Sequence, residues 1–213
     1  MLQKPELSLL LAQAIKLEDR SSDPLRQYFA TSQEGVRSAS VMILLARSQV
    51  GWSVLITKRT ETVDQHKGQY AFPGGAHDLQ DGNSSHTALR ETEEEMGIPR
   101  QMMEVVGTLP DFRSTSGFQV TPVIALATET AERLPMDLNP HEIALAEWIP
   151  LKQLRKPEVY SQEKIRFGGV SYPTHVYLLE GSQGPHRVWG LTAALLKNFL
   201  DRLVQVVRTE QDL

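Results

Sequence analysis

Glu91, Glu94 and Glu95 follow Arg90 in the run RETEEEMG, and at about 100° of rotation per residue they fall within a helical arc of about 100°. Three carboxylates so placed repel one another, at a cost of roughly 0.2 to 0.5 kcal/mol per like-charged pair at i,i+3 or i,i+4. Arg90, one turn before Glu94, can offset part of that repulsion. A divalent cation offsets the rest most simply, because Mg2+ and Mn2+ prefer carboxylate oxygen, and Mg2+ typically joins one or two carboxylates to substrate phosphates. The chemistry expected of this face is therefore metal-assisted work on a phosphate-bearing small molecule. Ser85, Ala88, Leu89, Thr92 and Met96 form a second face of small and apolar residues that suits packing on a sheet, and Glu93 belongs to neither face.

Upstream lies Phe72-Pro73-Gly74-Gly75, read as a glycine turn leading into the helix. Pro73 stiffens it, and the glycines allow backbone angles and close approaches that a side chain would block. Such a turn can bring its own amides or carbonyls to a metal or a phosphate. A Gly-Gly pair alone is often just a tight turn, and an acidic run alone is often a solvated face. Their order and spacing together make the signal specific. Asp78 and Asp81 lie in the intervening loop, and His77 and His86 beside them are read as bystanders.

The residues Gly75 and Arg90-Glu91-Thr92-Glu93-Glu94-Glu95-Met96-Gly97-Ile98 resemble the Nudix box, whose core is Arg-Glu, a hydrophobic residue, any residue, Glu-Glu, any residue, Gly and a hydrophobic residue. Thr92 stands where the box has an apolar residue and keeps a methyl for packing; Gly82 stands where the general box has an earlier glutamate. The coenzyme A pyrophosphatases of this superfamily share that variation, with aspartates in a slightly longer loop. Their upstream signature is also similar to Leu55-Ile56-Thr57-Lys58-Arg59 and Gly68-Gln69-Tyr70-Ala71-Phe72-Pro73-Gly74-Gly75, with departures at Thr60 and Asp64, where that subfamily has Ser or Ala and Arg. The resemblance runs on through Gly117 to Val123 and Val188 to Ala193, and covers roughly residues 36–206.

This resemblance implies hydrolysis of a pyrophosphate bond in a nucleoside diphosphate linked to another moiety, with coenzyme A or an acyl derivative as substrate. It implies Mg2+ or Mn2+ held by Glu91, Glu94 and Glu95, with a backbone carbonyl of Gly74-Gly75 as a further ligand. Arg90 would orient the carboxylates, and Glu94 or Glu142 would take a proton from the attacking water. Lys58, Arg59, Phe72, Gly74 and Gly75 would meet the substrate. Lys58 and Arg59 read equally well as solvated residues at a strand end, as does Arg113 in the loop 110–118, and His66 reads as exposed. Two rivals remain: cleavage of another dinucleotide such as ADP-ribose or NADH, and a Nudix fold that senses a nucleotide without cleaving it. The downstream motif Ser-Gln-Pro-Trp-Pro-Phe of NADH-cleaving Nudix enzymes is absent, and the intact box favours catalysis.

The elements that must position these residues follow from hydrophobic patterning. Residues 5–17 read as a helix with Pro5 in its first turn, and Ser21-Ser22-Asp23-Pro24 caps a second through Phe29. Both are expected to pack on the main domain or on a partner. Strands are expected at 39–46 and 53–58 as a hairpin, then at 103–109, 119–127, 143–150 and 174–179 as the last, with 151–170 irregular. A long helix at 189–207 closes the chain. Pattern alone gives α+β or α/β with a mixed sheet; the resemblance implies the Nudix α/β/α sandwich. The expected organisation is a helical extension at 1–35, a domain at 36–207 and a tail at 208–213.

Composition excludes several alternatives. The 213 residues carry a formal net charge of −4 and no cysteine, which rules out thiol catalysis, disulfides and thiolate zinc sites. No basic stripe suggests nucleic acid, and neither a signal-peptide run nor a stretch near the roughly 20 apolar residues of a membrane span is present. A cytoplasmic protein is expected, and the resemblance allows a homodimer.

Overall fold

Alternation along the apolar run 39–46 sends successive side chains to opposite faces of a sheet, and both faces are covered. In the computed structural model, which describes residues 2–18, 36–61, 67–114, 116–167 and 169–207, the strands follow in the order β1 (Arg37–Ser48), β2 (Gly51–Arg59), β3 (Tyr70–Ala71), β4 (Gly74–Ala76), β5 (Met103–Thr108), β6 (Phe112–Arg113), β7 (Phe118–Ala127) and β8 (Ile143–Pro150). They form one mixed sheet with the path β3-β2-β1-β7-β5; β4 lies beside β1, β6 beside β7 and β8 beside β2. β1 and β2 make the expected antiparallel hairpin, and β1 runs parallel to β7.

On one face Ile43, Leu45, Val54, Ile56, Ile124 and Leu126 join a core shared with two helices, α1 (Lys4–Lys16) and the closing helix. On the other, Met42, Leu44, Leu55, Val123 and Ala125 pack on Ala88 and Met96 of the box helix α2 (Ser84–Met96). Helices thus cover a mixed sheet on both sides, the α+β sandwich expected. α1 docks on the domain through Leu7, Leu11 and Ala14, each large apolar side chain so buried contributing about 1.5 to 3 kcal/mol. The closing helix, α3 (Gly190–Val206), receives it: the Arg202 guanidinium donates to the Ala14 and Leu17 carbonyls at 3.2 and 2.7 Å and satisfies the open end of α1.

Two expectations need correction. The segment 151–170 is not irregular: it holds a helical turn (Leu151–Leu154) and a strand β9 (Tyr160–Phe167). The strand expected at 174–179 is not the last, since β10 (Val170–Gly181) is followed by β11 (Gly184–Trp189), and the three form a separate antiparallel sheet. Residues 161–164 of β9 are all exposed, so no burial-driven alternation marked the strand. The Gly74-Gly75 turn is likewise a short strand, paired with Ala39–Val41 of β1. The expected helix at 21–29, Asp64, His66 and the tail 208–213 lie outside the described residues. Among the described residues no helix is long and apolar enough to cross a membrane.

Candidate active site

α2 begins where Asn83 accepts a hydrogen bond from the His86 amide at 3.0 Å and ends at Gly97, whose φ of 68° is left-handed. Thr92, placed where an apolar residue was expected, is buried and donates its hydroxyl to the Ala88 carbonyl at 2.6 Å. Its polar atom is therefore satisfied within the helix, and it packs as an apolar residue would.

The three glutamates share a side of the helix but not an environment. Glu94 is exposed, Glu91 is largely covered, and Glu95 is 2 % exposed. Glu95 accepts from the Gly74 amide at 3.0 Å and lies 3.4 Å from the Arg59 guanidinium. Burial pushes its carboxyl up to about 8 against the pull of the Gly74 amide and Arg59, with Glu91 and Glu142 adding to the rise. Burial also raises Glu91, although Arg90 opposes it. Glu93 points elsewhere and pairs with Arg100.

Arg90 is the hub. Its Nε and Nη2 reach the two Asp81 oxygens at 3.1 and 2.8 Å, Nη2 also donates to the Ala76 carbonyl at 3.1 Å, and Nη1 meets Glu91 at 2.8 Å and Glu94 at 3.0 Å. This fork ties the box loop to the helix and fixes two of the carboxylates. Asp81 also accepts from the Thr87 hydroxyl at 2.9 Å. The Arg90 bonds hold the Asp81 carboxyl far below the usual range, and Asp81 in turn raises Arg90. The resemblance points to the loop aspartates Asp78 and Asp81, but the partnership of Asp81 with Arg90 across nine residues has no helical or strand period to reveal it. His77 meets the Ser40 hydroxyl at 2.9 Å, while His86 stays exposed.

Glu142 arrives from the turn before β8. The Asn139 amide donates to the Glu95 carbonyl at 2.9 Å, the Asn139 side chain to Glu142 at 3.2 Å, and Glu142 lies 3.8 Å from Arg59. The structure therefore brings Arg59, Gly74, Gly75, Arg90, Glu91, Glu94, Glu95 and Glu142 together. Lys58 is not among them: neighbours on a strand face opposite ways, and its ammonium lies 5.8 Å from the centre of the Tyr70 ring. Phe72 is buried and lines a cavity of about 550 Å3 on the α3 side of the sheet, as do Arg59, Gly74 and Gly75. The loop 110–118 contributes Phe112, Arg113 and Ser114 to the same wall. β4 separates this cavity from the carboxylates, and it must be glycine. A Cβ on Gly75 would stand 2.5 Å from the Glu91 carboxyl carbon, and one on Gly74, at φ 151°, would stand 2.3 Å from the Ser40 carbonyl oxygen.

The donor chemistry fits a hard divalent cation: oxygen ligands only, with the charges of Glu91 and Glu95 disfavoured by burial until a cation offsets them. Among the described residues no three acidic or histidine side chains are grouped at metal-ligating distances, because Arg90 draws Glu91 and Glu94 while Arg59 and the Gly74 amide draw Glu95.

The NUDIX domain family matches residues 36–167. A Nudix hydrolase NudL of Yersinia enterocolitica, itself uncharacterized, is 37% identical over 155 residues, 73% of this chain and 74% of its own. Its counterpart in Photorhabdus laumondii is 35% identical over 154 residues, 72% of this chain and 78% of its own. Among solved structures, the M. Smegmatis Nudix hydrolase RenU is 28% identical, with a TM-score of 0.47 over 55% of this chain and 73% of its own. The MutT/nudix family protein of Enterococcus faecalis is 16% identical, with a TM-score of 0.49 over 96% of this chain and 76% of its own. With the box helix, the glycine strand and the sandwich in place, the chain belongs to the Nudix hydrolases, enzymes that split pyrophosphate bonds in nucleoside diphosphate derivatives and generally use divalent cations.

Proposed function

We propose that this Nudix pyrophosphatase acts on coenzyme A or its acyl derivatives, giving 3',5'-ADP and 4'-phosphopantetheine or its acyl form, with Mg2+ or Mn2+ as cofactor and residues 36–207 as the catalytic unit. The observation that carries the reading is that Arg90 joins Glu91 and Glu94 to Asp81 while Glu95 bonds the amide of Gly74, a residue that lines a cavity of a size that suits a nucleotide. The signatures through Arg59 and through Gly75, shared with coenzyme A pyrophosphatases, support the substrate.

Glu91, Glu94 and Glu95 would hold the cation. Bound there, it supplies offset of phosphate charge and activation of water. Arg90, already committed to Asp81 and the Ala76 carbonyl, positions Glu91 and Glu94 and acts through them. The Gly74 amide orients Glu95. Arg59, between Glu95 and Glu142 and lining the cavity, would be the guanidinium that meets a substrate phosphate. Glu94 and Glu142, the more exposed carboxylates, are the groups able to accept the water's proton.

The test is a panel of coenzyme A, acetyl-coenzyme A, ADP-ribose, NADH and diadenosine polyphosphates with Mg2+ or Mn2+, products separated by chromatography. Coenzyme A should be cut fastest, to 3',5'-ADP and phosphopantetheine. Faster cleavage of ADP-ribose or NADH would overturn the substrate, and binding of nucleotide with no cleavage of any compound would overturn the hydrolase reading.

A further inference from the structure

The run Asn139-Pro140-His141-Glu142 brings a carboxylate to the site from outside the box. Its first residue uses backbone and side chain together to do so. The Asn139 amide donates to the Glu95 carbonyl at 2.9 Å, and its carbonyl accepts from the Glu142 and Ile143 amides at 3.1 and 2.9 Å. The side-chain oxygen accepts from the His141 amide at 3.1 Å, and the side-chain nitrogen donates to Glu142 Oε1 at 3.2 Å. Asparagine suits this place because its short side chain can close a turn on the backbone two residues on and still offer a donor to another group.

The turn is anchored on the end of the box helix. The last carbonyls of a helix have no partner within it, and those of Glu95 and Met96 accept from the Asn139 and Asp137 amides, both at 2.9 Å. Gly97, at φ 68°, makes room for this segment, since a Cβ there would stand 2.9 Å from the Asp137 backbone. From the other side, Thr60 donates its amide to the Glu142 carbonyl at 2.8 Å and its hydroxyl to the His141 carbonyl at 3.0 Å. The backbone of 137–142 is thus fixed between α2 and the end of β2. The Glu142 side chain, 41 % exposed, needs a hold of its own. Arg59 stands 3.8 Å from its Oε2, beyond hydrogen-bond reach, so among the described residues the Asn139 amide is the hydrogen-bond donor to that carboxylate. The donor is neutral and leaves Oε2 open to accept a proton.

We infer that Asn139 is a positioning residue for the hydrolysis: its side-chain amide orients the Glu142 carboxylate, and its backbone amide fixes that carboxylate's place relative to Glu95 at the end of the box helix. Asn139 acts through Glu142 and not on the substrate. The inference rests on the assignment of Glu142 to the site in the proposed function and is independent of coenzyme A.

The test is steady-state kinetics with saturating Mg2+, on whichever compound of the panel the wild-type chain cleaves fastest, alongside thermal melting. Asn139→Asp keeps the oxygen that closes the turn but sets a second carboxylate where Glu142 had a donor, so kcat should fall about 10- to 100-fold with KM within about twofold and Tm close to wild type. Asn139→Ser, whose hydroxyl can also close the turn and adds no charge, should lose about 10-fold in kcat. In a Glu142→Gln background neither change should slow the enzyme further, because the group being positioned is gone. Wild-type kcat in both Asn139 variants, the same fold-loss added on top of that of Glu142→Gln, or wild-type kcat in Glu142→Gln would overturn the inference and leave the pyrophosphatase reading standing. A wild-type chain that cleaves no compound of the panel would overturn that reading and this inference with it.

Discussion

At the scale of single residues, the site depends on how each charge is compensated. Asp81 and Arg90 form a bidentate pair in which Asp81 is almost covered, and the Asp81 carboxyl is held well below its ordinary value. Since the folded value lies below the unfolded one, the pair's stabilisation is complete above roughly pH 4 and declines as pH falls through the range between them. Asp81→Asn should lower stability at neutral pH by about 1 to 3 kcal/mol. Its deficit against wild type should shrink in melts below about pH 4. Arg90, released from one anchor, should also hold Glu91 and Glu94 less well, and kcat should fall while the fold persists. An unchanged kcat would mean that Asp81 serves stability alone.

At the scale of elements, β4 touches both the cavity and the carboxylates: Gly74 and Gly75 line the cavity, the Gly74 amide bonds Glu95, and Gly75 abuts Glu91. Gly75→Ala would push a methyl against the Glu91 carboxyl, so hydrolysis should drop at least tenfold and the metal concentration needed for half-maximal rate should rise, with a smaller loss in Tm. Equal metal dependence in mutant and wild type would contradict the placement of Glu91 at the cation. That these glycines permit a close approach is legible from residue type, and their spacing from the acidic helix makes the signal specific. That they pair as a strand with Ala39–Val41 is not legible, because three residues show no period and their pairing is with a distant segment. The helix face was legible for the same reason that β9 was not: α2 has one side against a core, which imposes a 3.6-residue rhythm, whereas the centre of β9 is exposed. Periodicity placed Glu91, Glu94 and Glu95 on one arc but could not foretell that Glu95 would be buried under Gly74 and Arg59. That depth comes from elements folding over the helix, not from the helix.

At the scale of the whole molecule, the box helix and the N-terminal helix lie on opposite faces of the main sheet. α1 and α3 pack on the face opposite α2, and Leu11 of α1 is fully buried there. Leu11→Ala should cost about 2 to 5 kcal/mol of stability, seen as a lowered denaturant midpoint, while kcat below the transition stays near wild type. A matching loss of kcat would show that the helical extension reaches the active site. Glu147, His186 and Tyr70, by contrast, form a hydrogen-bonded chain drawn from three strands in two sheets, a juxtaposition that only the assembled topology creates.

In the proposed function the box helix does chemistry with one side and not with the other. That division is tested most directly by steady-state hydrolysis, under saturating Mg2+ or Mn2+, by Glu95→Gln and Glu93→Gln prepared in parallel. Removal of a group on which the charge balance of the reaction depends commonly costs factors of about 10^2 to 10^4 in rate. Glu95→Gln should therefore lose nearly all turnover, while Glu93→Gln, whose side chain pairs with Arg100 away from the site, should stay within about threefold of wild type and lose only the modest worth of an exposed ion pair. Equal losses in the two variants, or a Glu95→Gln enzyme that still turns over, would contradict that division of the helix.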